Sequence, residues 1–221
     1  MAGGAAQEGW VDPDLAAELP GLAVLWTEVA ARAGRTPRAV RDRMRSLADR
    51  ITGERVVGMR QDEVPWAYRV LWRRLGVDPD IDRTPVERLM LERLRAGGLP
   101  SHGMPVDAVT VATIETGVPV CVFDAEAIQG ELGLRPATAG ERLGGEEGPA
   151  LRAGEIVYAD RKRPVATLSG EVAGACATTE RTARMTVAVL AAPSVSQMAL
   201  DEALWTASGL LEAAGTLDTS S

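Results

Sequence analysis

The sequence predicts an α+β fold: a mixed sheet covered by helices and preceded by N-terminal helices. Three observations carry this. Apolar residues recur at helical spacing through most of the first hundred positions. Short runs rich in β-branched residues then follow, and one more helical stretch closes the chain. Helices and strands grouped in that order, rather than alternating, call for a sheet with helical cover. At 221 residues and 46% hydrophobic, the chain suffices for one domain, or one domain with an extension, and for a sizeable core.

Asp12 to Ala33 reads as an amphipathic helix, because Leu15, Leu19, Leu22, Leu25 and Val29 are three or four apart. Pro20 splits it. Thr36 before Pro37 starts a second helix, with threonine as cap and proline in the first position. Val40, Met44, Leu47 and Ile51 line one face of it, and Arg38, Arg41, Arg45 and Asp49 the other. Glu63 to Leu75 is a third helix, ended by Gly76, and Pro85 to Ala96 a fourth, opened by Thr84 and stopped by Gly97-Gly98. Val106 to Ile114 and Val118 to Phe123 read as strands on either side of a turn at Gly117 and Pro119. Gly130–Leu134, Glu155–Ala159, Val165–Ser169 and Met185–Ala191 are further strands, and Ser196 to Ala214 is the closing helix. Met1 to Gln7 and the tail to Ser221 read as loose. The expected division is a helical extension over 1–62, a sheet-bearing domain over 63–195 and a C-terminal helix and tail over 196–221.

Composition narrows the function classes. No apolar run reaches the roughly 20 residues of a bilayer span. The opening MAGGAAQEGW has neither a basic start nor an apolar centre, so no signal peptide and no membrane partner are expected. Cys121 and Cys176 are far apart, which makes a reduced, cytoplasmic setting the default. One histidine, His102, leaves nothing for a multi-histidine metal centre, and neither metal nor cofactor is expected. Net charge is −7, yet residues 31–74 hold twelve arginines against five acids. A nucleic-acid backbone is gripped by a basic face, so Arg38, Arg41 and Arg45 are the candidate RNA contacts. The alternative is a solvated helical face. No P-loop, GxGxxG, HExxH or GxSxG occurs.

An ordered series runs from Leu99 to Glu141. Leu99-Pro100 is followed by Val106-Asp107, Thr110, Thr113, a turn at Gly117 and Pro119, and a strand ending at Asp124. Leu134-Arg135, Gly140-Glu141, Gly154-Glu155 with Asp160, and the threonine-rich Thr178–Thr182 continue it. In order and spacing this series resembles the B3/B4 editing domain of the bacterial phenylalanyl-tRNA synthetase beta subunit. It resembles that domain's free-standing relatives more closely, from about Glu63 to Pro193. The resemblance implies a B3/B4-like sheet-and-helix domain with a pocket for an amino-acid side chain, which in the synthetase hydrolyses a wrongly attached amino acid from tRNA. Several lining positions depart from it. Cys121 stands where the synthetase has a histidine, and Gly174 where it has a glutamate, with Glu171 the nearest acid. Thr110 replaces an asparagine, and Ala166–Glu171 replaces an Arg/Trp-rich segment.

Glu171, His102 and Cys121 are the candidate catalytic residues. A carboxylate or imidazole can move protons, and a thiol can act as a nucleophile. The bland alternatives are an exposed turn acid, a surface histidine and a buried small hydrophobe. Asp107, Thr110, Thr113, Glu115, Phe123 and Ser169 are the candidate substrate contacts. In a strand, Thr110 and Thr113 face opposite ways, so both line a pocket only if the segment is helical or bulged. Three functions fit: a deacylase-like protein acting on aminoacyl-tRNA, a small-molecule enzyme of specialised metabolism that condenses an aromatic amino acid with a carbonyl compound (a Pictet–Spengler-type reaction), or a non-catalytic tRNA-binding module. Both enzymatic readings expect a cavity walled by strands on either side of Pro119.

Overall fold

The structure, a computed structural model, describes residues 5–217. In chain order its elements are β1 (Gln7–Glu8), β2 (Trp10–Val11), α1 (Pro13–Glu18), β3 (Ala23–Ala30), α2 (Arg38–Arg50), α3 (Gly53–Gly58), α4 (Glu63–Arg74), α5 (Pro85–Ala96), α6 (Met104–Thr116), β4 (Val120–Asp124), β5 (Gly133–Pro136), β6 (Ile156–Ala159), β7 (Pro164–Thr167), β8 (Arg184–Ala191) and α7 (Gln197–Leu217). The class is α+β. One sheet has the order β1-β3-β8-β4 and is antiparallel throughout. The other has the order β2-β5-β6-β7 and is mixed, β2 running parallel to β5. Helices α6 and α7 pack together and cover the first sheet. Among the described residues, no helix is long and apolar enough to cross a membrane.

Two elements differ in kind from the sequence reading. The expected helix over Asp12–Ala33 stops at Leu19, and Leu25 and Val29 lie in strand β3, paired with β8 over its whole length. A spacing of four serves either period, since i and i+4 share a face in a strand as they do in a helix. The second is Val106–Ile114, which is not a strand but most of helix α6. Asp107, Ala108, Val111 and Ala112 are all buried between α2, α5, α7 and β4. A helix packed on most sides shows no polar stripe, and β-branched residues prefer strands only as far as packing favours it. Its ends were nonetheless written locally: Pro105 stands in the first turn, and Gly117 caps the C-terminus with φ +77°.

Smaller differences follow from partners. The expected cap of α2, Thr36, points its hydroxyl elsewhere, and Pro37 occupies the cap position. Gln7, expected to be loose, pairs with Trp26; residues 1–4 and 218–221 lie outside the described residues. Of the strand expected over Gly130–Leu134 only Gly133 and Leu134 are in one, which runs on to Pro136. Helix α5 keeps its expected bounds because Thr84 and Glu87 form a capping box.

That box is also the centre of a buried charge network. Glu87 is wholly buried; its Oε1 lies 2.6 Å from Arg69 Nη1 and 2.9 Å from Arg60 Nε, and its Oε2 accepts from Thr84 Oγ1 at 3.0 Å. Arg69 Nη2 reaches Asp80 at 2.8 Å, and Arg83 Nη1 meets the same carboxylate at 3.1 Å. The network ties α4 to α5 and fixes the loop between them. Cys121, in β4, is packed into the core, where burial pushes its thiol up to about 12. Burial also raises Cys176.

Two outcomes are expected. Glu87→Gln leaves the Arg69 guanidinium buried without its main counter-charge and costs about 3 kcal/mol of unfolding free energy, read from urea denaturation. A loss under about 1 kcal/mol would show that Asp80 alone suffices. Ellman's reagent at pH 8 titrates neither thiol in the native protein and both after denaturation, because only thiolate reacts. Rapid native labelling of Cys121 would contradict its burial.

Candidate functional site

A groove of about 610 Å3 opens where three segments remote in sequence meet: residues 33–36 ahead of α2, 101–103 ahead of α6, and 178–180 ahead of β8. Asp107 holds the first two together. It is wholly buried and has no cationic partner among the described residues; instead Oδ2 accepts from Thr36 Oγ1 at 2.5 Å and from Ser101 Oγ, and Oδ1 accepts from the His102 backbone N–H at 2.8 Å. Met104 N also donates to Gly34 O at 2.9 Å. The third segment is tied by Thr182, whose Oγ1 donates to Asp124 Oδ2 at 2.6 Å and accepts from Thr179 N at 2.9 Å. The backbone bond from Ala33 N to Thr182 O, 3.3 Å, joins it to the first.

On this fixed frame His102 is exposed at the groove wall, with Arg35, Arg41, Thr178, Thr179 and Glu180 around the same space. Two guanidiniums beside one carboxylate make the groove net positive in an acidic chain, a setting suited to an anion carried on a polar group. Imidazole and hydroxyl groups at its wall can move a proton or hydrogen-bond an ester.

The other sequence candidates do not gather here. Arg38 and Arg45 flank Asp42, at 3.7 and 2.5 Å, on the outer face of α2; of the expected RNA contacts only Arg41 lines the groove. Glu115 accepts from two of the three Arg43 nitrogens, Nε at 2.9 Å and Nη2, and so ties α6 to α2. Thr113 is buried, its Oγ1 accepting from Val120 N at 3.2 Å, while Thr110 is half-buried on the same helix. Glu171 sits on an exposed turn after β7, where its N–H donates to Thr167 Oγ1 at 3.2 Å and its carbonyl accepts from Thr167 N at 2.9 Å. Ser169 is on that turn, its Oγ 2.8 Å from Thr167 Oγ1, and lines a different cleft.

Cys121 and Phe123 are core residues, the Phe123 ring centroid 6.4 Å from that of Tyr158. The expected walls around Pro119 are therefore corrected: helix α6 precedes the proline, and Val118, Val120, Val122 and Phe123 are buried there. The Tyr158 hydroxyl is buried against the Cys121 thiol. Glu171, His102 and Cys121 occupy a turn, a groove and the core. They share no cleft. Sequence reasoning missed Arg35, Thr178, Thr179 and Glu180 as groove residues. Thr178–Thr182 was visible as a threonine-rich segment, but nothing local places it opposite His102.

The B3/4 domain family matches residues 67–201. The phenylalanine–tRNA ligase beta subunit of Streptomyces avermitilis is 33% identical over 102 residues, and that of Methylococcus capsulatus 37% over 102 residues; each alignment covers 45% of this chain. The beta subunit of Xanthomonas oryzae pv. oryzae is 35% identical over 101 residues. The aligned part of this chain spans only 12% of each of those proteins. With most of its length matched, from within α4 into α7, the chain belongs to the B3/4 domain family and is related to the phenylalanyl-tRNA synthetase beta subunit.

Proposed function

We propose that the protein, whose buried residues fill the cavity expected beside Pro119, instead binds the aminoacylated end of a tRNA in the His102 groove and hydrolyses its ester there, as a deacylase-like B3/4 protein acting in trans. One observation carries this reading. The chain's sole histidine stands exposed in a groove with Arg35 and Arg41, on loops that a buried carboxylate holds in place. The arginines suit backbone phosphates, and the volume falls in the range of about 300–1,000 Å3 typical of small-molecule sites. In this reading His102 takes a proton from water as it attacks the ester carbonyl and returns it to the departing ribose oxygen, while the Thr178 and Thr179 hydroxyls, which line the same groove, orient the terminal ribose or that water. Family membership and the named relatives support the substrate class. Asp107 acts as a positioning residue, through the His102 backbone N–H.

Incubation with correctly and wrongly charged tRNAs tests this. Ester hydrolysis above the uncatalysed rate is expected. His102→Ala lowers it about 100-fold with binding retained, the scale of a lost general base. Arg41→Ala weakens tRNA binding and makes its dependence on salt shallower. Binding without hydrolysis would make the protein an RNA-binding module, and neither binding nor hydrolysis would end the reading.

A further inference from the structure

Arginines without partners gather beside the groove. Residues 28–41 and 178–184 hold six arginines, Arg32, Arg35, Arg38, Arg41, Arg181 and Arg184, against two acids, Glu28 and Glu180, in a chain whose net charge is −7. All six are exposed. Arg32, Arg35, Arg41 and Arg181 have neither an ion pair nor a side-chain hydrogen bond among the described residues. The other two are loosely held: Arg38 Nε is 3.7 Å from Asp42 Oδ2, and Arg184 Nη1 is 3.5 Å from Glu28 Oε2. Exposed pairs at such separations contribute little. Unlike Arg60 and Arg69, which a buried carboxylate holds, these cations do nothing for the fold.

The fold lays the two segments side by side. Strands β3 and β8 are paired as far as Ala30 and Arg184, and beyond that end Ala33 N donates to Thr182 O at 3.3 Å. Arg32 and Arg181 each adjoin a member of that bond, so they leave neighbouring stretches of backbone. Arg181 N also donates to Thr179 Oγ1 at 3.3 Å, and Thr179 lines the groove together with Arg35 and Arg41. Arg184 lies farther along the sheet. In β3 and just past it, Val29 and Ala31 are buried while Glu28 and Ala30 are exposed; Arg184, opposite Ala30, shares the exposed face. The cations therefore run from the groove, past the junction of Ala33 with Thr182, onto the open end of the first sheet. Arg32, Arg35 and Arg41 precede the family match, which begins at residue 67, so half of this track comes from outside the matched region.

We infer that this track takes the phosphate backbone of an RNA duplex, the stem that continues from the strand end held in the groove. The inference rests on the reading of the His102 groove as the site of that end. Guanidinium groups pair with phosphate oxygens in a fixed fork, and each phosphate they neutralise releases condensed counterions. An excess of four positive charges over two short segments supplies the attraction. The partner is a duplex rather than a single strand, because residues 28–41 and 178–184 contain no aromatic side chain. Unpaired bases are held by stacking on aromatic platforms, whereas a double-stranded RNA is gripped by its backbone and shape.

The test uses the full chain and two uncharged RNAs: a hairpin minihelix with an acceptor stem and a 3′ CCA end, and a single strand with the same 3′ sequence. Binding is read by fluorescence anisotropy at several salt concentrations. The minihelix is expected to bind more tightly than the single strand. Arg32→Ala and Arg181→Ala, made separately, each weaken minihelix binding about fivefold and flatten the slope of log Kd against log salt by about 0.7–0.9. Arg181→Lys, which keeps the charge, recovers most of that loss. Arg152→Ala removes an exposed arginine that lines a different cleft and leaves binding unchanged. Wild-type hydrolysis of a 3′-aminoacyl adenosine, which has no stem, reads the groove by itself. Weakened minihelix binding in the track variants without any such hydrolysis supports the track and fails the deacylase reading. Hydrolysis with undiminished minihelix binding in both variants overturns the track and leaves the deacylase reading standing. Equal binding of the single strand, an equal loss in Arg152→Ala, or binding to phosphatidylserine vesicles but not to the minihelix also overturns the inference.

Discussion

A single buried carboxylate organises the groove side of this molecule. Asp107 is removed from water with no counter-ion among the described residues, a state that is costly unless every oxygen is hydrogen-bonded. Its three donors come from Thr36, Ser101 and His102, so satisfying it fixes the entry to α2, the 101–103 loop and the first turn of α6 together. Leaving one such group unpaired costs roughly 1–3 kcal/mol, which adds to the Met104 N to Gly34 O bond in holding the two loops together. The exposed imidazole of His102 inherits its position from that arrangement.

Charge is handled differently elsewhere. Around Glu87 the solution is ionic: Arg60 and Arg69 lie against one wholly buried acid, with Asp80 extending the set toward the surface. Breaking such a network by removing one partner is far costlier than its net contribution suggests, because the remaining charges stay buried. It accounts for Arg60 and Arg69 among the twelve arginines of residues 31–74, and Glu115 holds Arg43. Those three arginines of the basic segment are structural, and Arg35 and Arg41 are the ones that line the groove.

Family membership and local chemistry part company at β4. The family match covers β4, yet Cys121 and Phe123 turn their side chains into a packed core there, with the Tyr158 hydroxyl beside the thiol. Burial pushes the Cys121 thiol up to about 12, which disfavours the thiolate that a nucleophile needs. Polar function has a place instead at the molecule's loops, which tolerate changes of lining that a core does not.

The sequence alone determined what short-range chemistry decides. The capping box at Thr84 and Glu87 set the start of α5, and Pro105 and Gly117 marked both ends of α6 even though its β-branched interior read as a strand. The ordered series from Leu99 onward was enough for the family and the α+β class. Leu25 and Val29 defeated the pattern, because a spacing of four fits both periods and only pairing with β8 chooses the strand. Tertiary structure decided the sites. His102, Arg41 and Thr179 are each unremarkable in their own segments, and Glu171 looked promising until its turn proved to face solvent. A groove is a relation between segments many tens of residues apart, closed by long-range hydrogen bonds such as Thr36 to Asp107 and Ala33 to Thr182, and no local pattern encodes which segments will meet.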